Sequence, residues 1–179
     1  MKMRIFFLTV FSLICFSGIS QTDKFQEEIV SYLNSNGTSD QYSIAYEEMF
    51  QVIRQQFQTA NVPESYWSVL KEDKKDDLEE IIRNLTFAYR THFTAEDISK
   101  MAAFYQSDAG KQLIDDTVKP NQESIDAVNA FYASELGLKI KSKSEVLSAD
   151  ISQISEYWSR DLFAKKMGQL IKAGYVPQQ

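Results

Sequence analysis

The 179-residue chain has one histidine and one cysteine, so any chemistry would rest chiefly on carboxylates and hydroxyls. The densest candidate is Glu72-Asp73-Lys74-Lys75-Asp76-Asp77-Leu78-Glu79-Glu80, in which Asp76 and Glu80 stand one helical turn apart. Paired carboxylates can cleave a glycosidic bond when one is buried enough to keep its proton. Here the acids are mixed with lysines at a helix start, which predicts a solvated face. The stretch also lacks the alternating ligands and central glycine of a calcium loop. His92 precedes Thr94. A lone imidazole can act as a general base, but triad chemistry also needs a strained nucleophile and an oriented acid, and the sequence announces neither. Covering the preceding helix end, or facing solvent, is its plainer role.

The aromatic residues Tyr66, Trp67, Phe87, Tyr89, Phe104, Tyr105, Phe131, Tyr132, Tyr157 and Trp158 offer a further chemistry. They could line a groove for a lipid, peptide or sugar, although aromatics at helical spacing point first to core. No catalytic, cofactor-binding or metal-binding set emerges, and no cofactor is expected.

Ahead of these residues, Lys2 and Arg4 precede an apolar run from Ile5 to Phe16, followed by Ser17, Gly18 and Ser20. That order predicts a secretory signal peptide over residues 1–20, with cleavage after Ser20. The run is 12 residues long, against the roughly 20 that a membrane-spanning helix requires, so no permanent span is expected. Bulky Ile14 and Phe16 beside Cys15 argue against lipid attachment there. The expected location is therefore the periplasm or the medium. Cleavage removes Lys2, Arg4, Cys15 and no acid, taking the net charge from −6 to −8. The remaining chain has no thiol for a disulfide or metal site. Its basic residues form no cluster beyond Lys139, Lys141 and Lys143, so no nucleic-acid partner is expected.

Residues 21–179 suit one domain. Glycine and proline are scarce and apolar residues recur at three and four, which predicts an all-α fold: a compact bundle of six to nine mostly antiparallel helices. Helices are predicted from Lys24 to Ser35, from Asp40 as cap to Thr59, from Glu64 to Leu70 and from Asp76 to Thr91. Thr94 with Asp97 forms a capping-box pattern opening a helix through Tyr105. Further helices are predicted from Asp108 to Val118, from Pro120 to Ala133, from Glu135 to Lys141 and from Glu145 to Ala173, with Gly174 as a stop.

Ala103-Phe104-Tyr105-Gln106-Ser107-Asp108-Ala109-Gly110 recurs 27 residues later as Ala130-Phe131-Tyr132-Ala133-Ser134-Glu135-Leu136-Gly137. The unit reads as an elbow. An aromatic pair ends one helix, serine caps the next, an acid faces the positive end of the helix dipole, and glycine lets the helices approach closely. Phe104 and Phe131 are expected to be buried, with the Tyr105 and Tyr132 hydroxyls at the edge. Tyr157-Trp158-Ser159 resembles a decayed third copy without the glycine.

The string Tyr89-Arg90-Thr91-His92-Phe93-Thr94-Ala95-Glu96-Asp97-Ile98, followed by Ala103 to Lys111, resembles the signature of domain-of-unknown-function family 2059. The likeness covers about Leu78 to Ala127. It implies a small, exported helical protein of bacterial envelopes and brings no established activity. Asp108 stands where many members have proline, and both residues suit a first helical turn. By elimination the expected role is a non-enzymatic module that binds a protein partner or itself. A carrier of an apolar ligand and a carboxylate-dependent envelope hydrolase are the alternatives.

Overall fold

The computed structural model describes residues 23–178; the expected leader over residues 1–20 lies outside the described residues. Those residues form eight helices and no strand: α1 (Lys24–Ser35), α2 (Thr38–Gln56), α3 (Glu64–Leu70), α4 (Lys74–His92), α5 (Ala95–Gln106), α6 (Asp108–Ile114), α7 (Gln122–Ala133) and α8 (Glu135–Lys172). This is the all-α bundle that the apolar spacing predicts.

Most helix ends have a visible chemical cause. Asp23 accepts from Phe25 N–H at 2.9 Å to open α1. The chain reverses into α2 through Gly37 at φ +83, and Asn36 Oδ1 accepts from Thr38 N–H at 3.1 Å, so α2 opens ahead of the predicted Asp40 cap. Gly174, at φ +92, closes α8 with two backbone bonds: Tyr175 N–H donates to the Leu170 carbonyl at 3.1 Å, and Gly174 N–H donates to the Ile171 carbonyl at 3.0 Å.

The predicted break between Lys141 and Glu145 is absent. Residues 135–172 form one helix, because Ser142, Lys143 and Ser144 include neither proline nor glycine. The serine hydroxyls donate back to the Lys139 and Lys141 carbonyls, both at 2.8 Å. Tyr157-Trp158-Ser159 therefore runs through the middle of a helix and is no elbow.

Two apolar clusters lie along α8. Ile29, Tyr32 and Leu33 of α1 meet Ile81, Ile82, Leu85 and Tyr89 of α4 and Ile98 and Met101 of α5 in one. The second joins Tyr46, Phe50 and Ile53 of α2, Trp67 and Leu70 of α3, and Leu162 and Leu170 of α8. Trp158 packs against both. α4 and α8 run antiparallel, and their register is fixed by contacts near both ends: Lys165 Nζ to Asp77 at 3.0 Å, and His92 Nε2 to Asp150 at 2.7 Å.

Candidate functional site

The two elbow serines have nearly the same backbone angles, Ser107 at φ −72, ψ 165 and Ser134 at φ −68, ψ 166. Each serine oxygen accepts from the glycine N–H three residues on, at 3.2 Å for Gly110 and 3.1 Å for Gly137. Each hydroxyl donates to the phenylalanine carbonyl three residues back, at 2.6 Å in both elbows. One side chain thus satisfies an orphan donor of the new helix and adds a second bond to a carbonyl of the old one, which already accepts from the serine's own N–H, at 3.0 Å for Phe104 and 3.1 Å for Phe131. The elbows also touch each other. The Phe104 and Phe131 rings stack at 3.9 Å and 8°, and the Tyr105 and Tyr132 hydroxyls stand 3.3 Å apart. Phe104 and Phe131 are half-buried rather than buried, because the stack seals the joint between the elbows and borders the core without entering it. Burial, followed by the Tyr132 hydroxyl, pushes the Tyr105 phenol well above its ordinary value.

Thr94 and Asp97 bond reciprocally at the start of α5: Asp97 N–H donates to Thr94 Oγ1 at 3.2 Å, and Thr94 N–H donates to Asp97 Oδ2 at 2.8 Å. Asp97 also meets Lys139 of α8. Burial alone would raise the Asp97 carboxyl, but the Lys139 ammonium and the Thr94 donors outweigh it and hold it below its ordinary range.

The acid-rich stretch is not uniformly solvated. Asp77 is buried, because the first turns of α4 pack against α8. Lys165 Nζ donates to its Oδ1 at 3.0 Å. The Lys166 ammonium, fully buried, lies 2.9 Å from Asp77 Oδ2 as a charge contact too poorly aligned to count as a hydrogen bond. Lys166's directed bond goes to the Leu70 carbonyl at 2.8 Å. Lys166 therefore ties the last turn of α3 and the first turn of α4 to α8. Sequence reasoning missed this residue, which belongs to no predicted motif and lies on a helix whose neighbours are unknown until it folds.

Between α4 and α8 runs a surface groove of about 430 Å³ lined by Glu80, Asn84 and Phe87 on one side and Ile154, Tyr157 and Asp161 on the other. The groove ends at the Asp77–Lys165 pair. Phe87 is 62% exposed and Tyr157 50%, so two of the ten singled-out aromatics face water across the same groove. Trp67 and Tyr89 are buried. His92 covers the end of α4 and bonds Asp150, and no serine is bonded to it. Among the described residues no cluster of three or more histidine, cysteine or acidic side chains could hold a metal ion, and no helix is long and apolar enough to cross a membrane.

Residues 79–127 match the family model of an uncharacterized protein conserved in bacteria (DUF2059). This is the family the elbow signature resembles. The DUF2059 segment takes in most of α4, all of α5, the first elbow, α6 and the start of α7. It includes Phe87 and Glu80 and leaves out the second elbow, α8 and Lys166. No curated protein and no solved structure matches the chain.

Proposed function

We propose that the protein is an exported, non-enzymatic module of the bacterial envelope, in the periplasm or outside the cell, that binds another protein along the groove between α4 and α8. The observation that carries this reading is the exposure of Phe87 and Tyr157 on opposite walls of a groove whose helices are locked in register near both ends. Large aromatics supply a disproportionate share of interface energy, and a rigid wall loses little entropy when a partner docks. Glu80 and Asp161 on the groove walls, in a chain of net charge −6, favour a partner with a basic rim.

Catalysis by a protonated carboxyl finds no support. Asp23, Glu47, Glu64, Asp97 and Asp115 are all held below their ordinary range, the opposite of what a general acid needs. Carriage of an apolar ligand would call for an open space among the central aromatics. Instead Tyr46 and Phe50 pack ring to ring at 5.0 Å, and Tyr32 and Tyr89 at 5.5 Å.

A photo-crosslinking residue placed at position 87 or 157, in cells of the native envelope, tests the docking site. Discrete adducts from both positions, absent from the exposed α2 position Glu48, are expected. Equal adducts from all three positions, or none from 87 and 157, would remove the groove as the docking site. N-terminal sequencing is expected to start at or near Gln21, and an intact Met1 on the protein in the envelope would remove the export reading.

A further inference from the structure

The structural repeat is longer than the Phe-Tyr-x-Ser-x-x-Gly string. α5 and α7 are both 12 residues long, and the 27-residue offset carries one onto the other from cap to cap. Thr94 falls on Asn121, the side chain that opens α7 by accepting from Ser124 N–H at 2.8 Å. At the far end Ser107 falls on Ser134. Within the helices, Ile98 falls on Ile125, Met101 on Val128 and Tyr105 on Tyr132, so each helix bears an apolar row at i, i+3 and i+7.

The surroundings of the two rows differ. On α5 the row is covered by α1: Ile98 and Met101 share a core cluster with Ile29, Tyr32 and Leu33, and the Tyr105 ring meets Tyr32 edge to face at 5.8 Å. α7 packs chiefly on α6 and α8, and no element of the described chain takes the place of α1. Ile98 is fully buried while Ile125 is 41% exposed and Tyr132 42% exposed, with Val128 half-buried between them. The equivalence also says what kind of element fits. α1 presents Phe25, Ile29, Tyr32 and Leu33 at i, i+4, i+7 and i+8, the row of an amphipathic helix that lays one face into a complementary surface.

We propose that the Ile125–Val128–Tyr132 face of α7 is a docking site for an amphipathic helix of a partner protein, seated as α1 is seated on α5. The site is distinct from the α4–α8 groove and stands or falls separately from it. The partner helix carries large aliphatic and aromatic residues at α1 spacing and polar residues elsewhere.

The probe is a fluorescent peptide of residues 23–35. An isolated helix shorter than about 12–15 residues is marginal in water, so a lactam between Lys24 and Glu28 replaces the i,i+4 ion pair these residues form at 3.8 Å. Anisotropy with the full chain is expected to show saturable binding. Ile125→Glu should weaken it by about tenfold or more, the loss expected for a central apolar contact, and Tyr132→Ala should weaken it measurably. Ile125 is already 41% exposed, so Ile125→Glu is expected to keep the far-UV CD spectrum and urea midpoint. Tyr132→Ala provides the reading should it not. Phe87→Ala in the groove should leave peptide binding unchanged. Equal binding by the parent, Ile125→Glu and Tyr132→Ala would overturn the proposal, since the peptide would then be displacing α1 from α5 or adhering elsewhere. No binding up to the solubility limit would also overturn it. Dimerisation of the chain without peptide, removed by Ile125→Glu, would give the face to a second copy and overturn the assignment to a foreign helix.

Discussion

Gly110 and Gly168 should respond to the same substitution with opposite signs. A Cβ added at Gly110 would stand 2.2 Å from the Phe104 carbonyl oxygen and 2.5 Å from Tyr105 Cα; at Gly137 it would stand 2.5 Å from the Phe131 carbonyl oxygen and from Tyr132 Cα. Non-bonded carbon contacts settle near 3.5–4.0 Å, so the two helices of each elbow would have to part by about 1 Å. The obstacles are backbone atoms, which cannot turn aside as a side chain can. Overpacking of this kind costs about 1–3 kcal/mol, and parting the helices also stretches a serine cap worth about 1 kcal/mol, while alanine recovers about 1 kcal/mol of helix propensity. Gly110→Ala and Gly137→Ala should therefore each lose about 1–3 kcal/mol. Gly168, inside α8, has nothing within 4 Å of its added Cβ, and Gly168→Ala should gain up to about 1 kcal/mol from propensity alone. Urea unfolding followed by far-UV CD reads both: the midpoint falls for the elbow variants and rises for Gly168→Ala, with the slope unchanged. In a chain of this size each kcal/mol moves the melting temperature by about 2–4 °C. A Gly110→Ala protein as stable as the parent, at unchanged slope, would refute the close approach and with it the account of why the elbow contains glycine.

Ser107→Ala and Ser134→Ala should each cost about 1 kcal/mol in the same urea assay, because each removes one cap from an exposed turn. Lys166→Met removes one of the two ammonium groups beside the buried Asp77 carboxylate. With Lys165 still 3.0 Å from that carboxylate, the loss should fall near the lower end for a broken buried pair, about 3 kcal/mol. The double variant with Asp77→Leu should recover much of that, read as the coupling energy of a double-mutant cycle. Hydrogen bonds from Lys71 and Lys74 hold the Glu47 carboxyl below its ordinary 4.5. A depressed folded pKa means that the unfolded chain takes up the proton first as pH falls. The contribution is therefore complete above 4.5 and is lost as pH drops through the lower folded value. Urea midpoints measured across that window should fall less steeply for Glu47→Gln than for the parent.

The parts of this fold legible in the sequence are those written in local chemistry. The capping box of Thr94 and Asp97 and the elbow serines each act within three residues, so the letters that form them are adjacent in the chain. The continuous α8 was less legible, because the weak helix formers Ser142 and Ser144 read as a break until their hydroxyls are seen to bond inside the helix. Asp77 and Lys166 were invisible, since a charge belongs in the interior only when another element brings its counterpart, here from 89 positions along the chain. The repeat lies between these cases. Thr94 and Asn121 differ in letters yet open their helices by the same bond, and Met101 and Val128 fill the same place in an apolar row. Comparison by identity therefore finds the elbow and misses the helix leading into it. What then separates the two copies is their neighbours: one row has a helix laid over it and the other does not, and no reading of the repeat by itself could have told which.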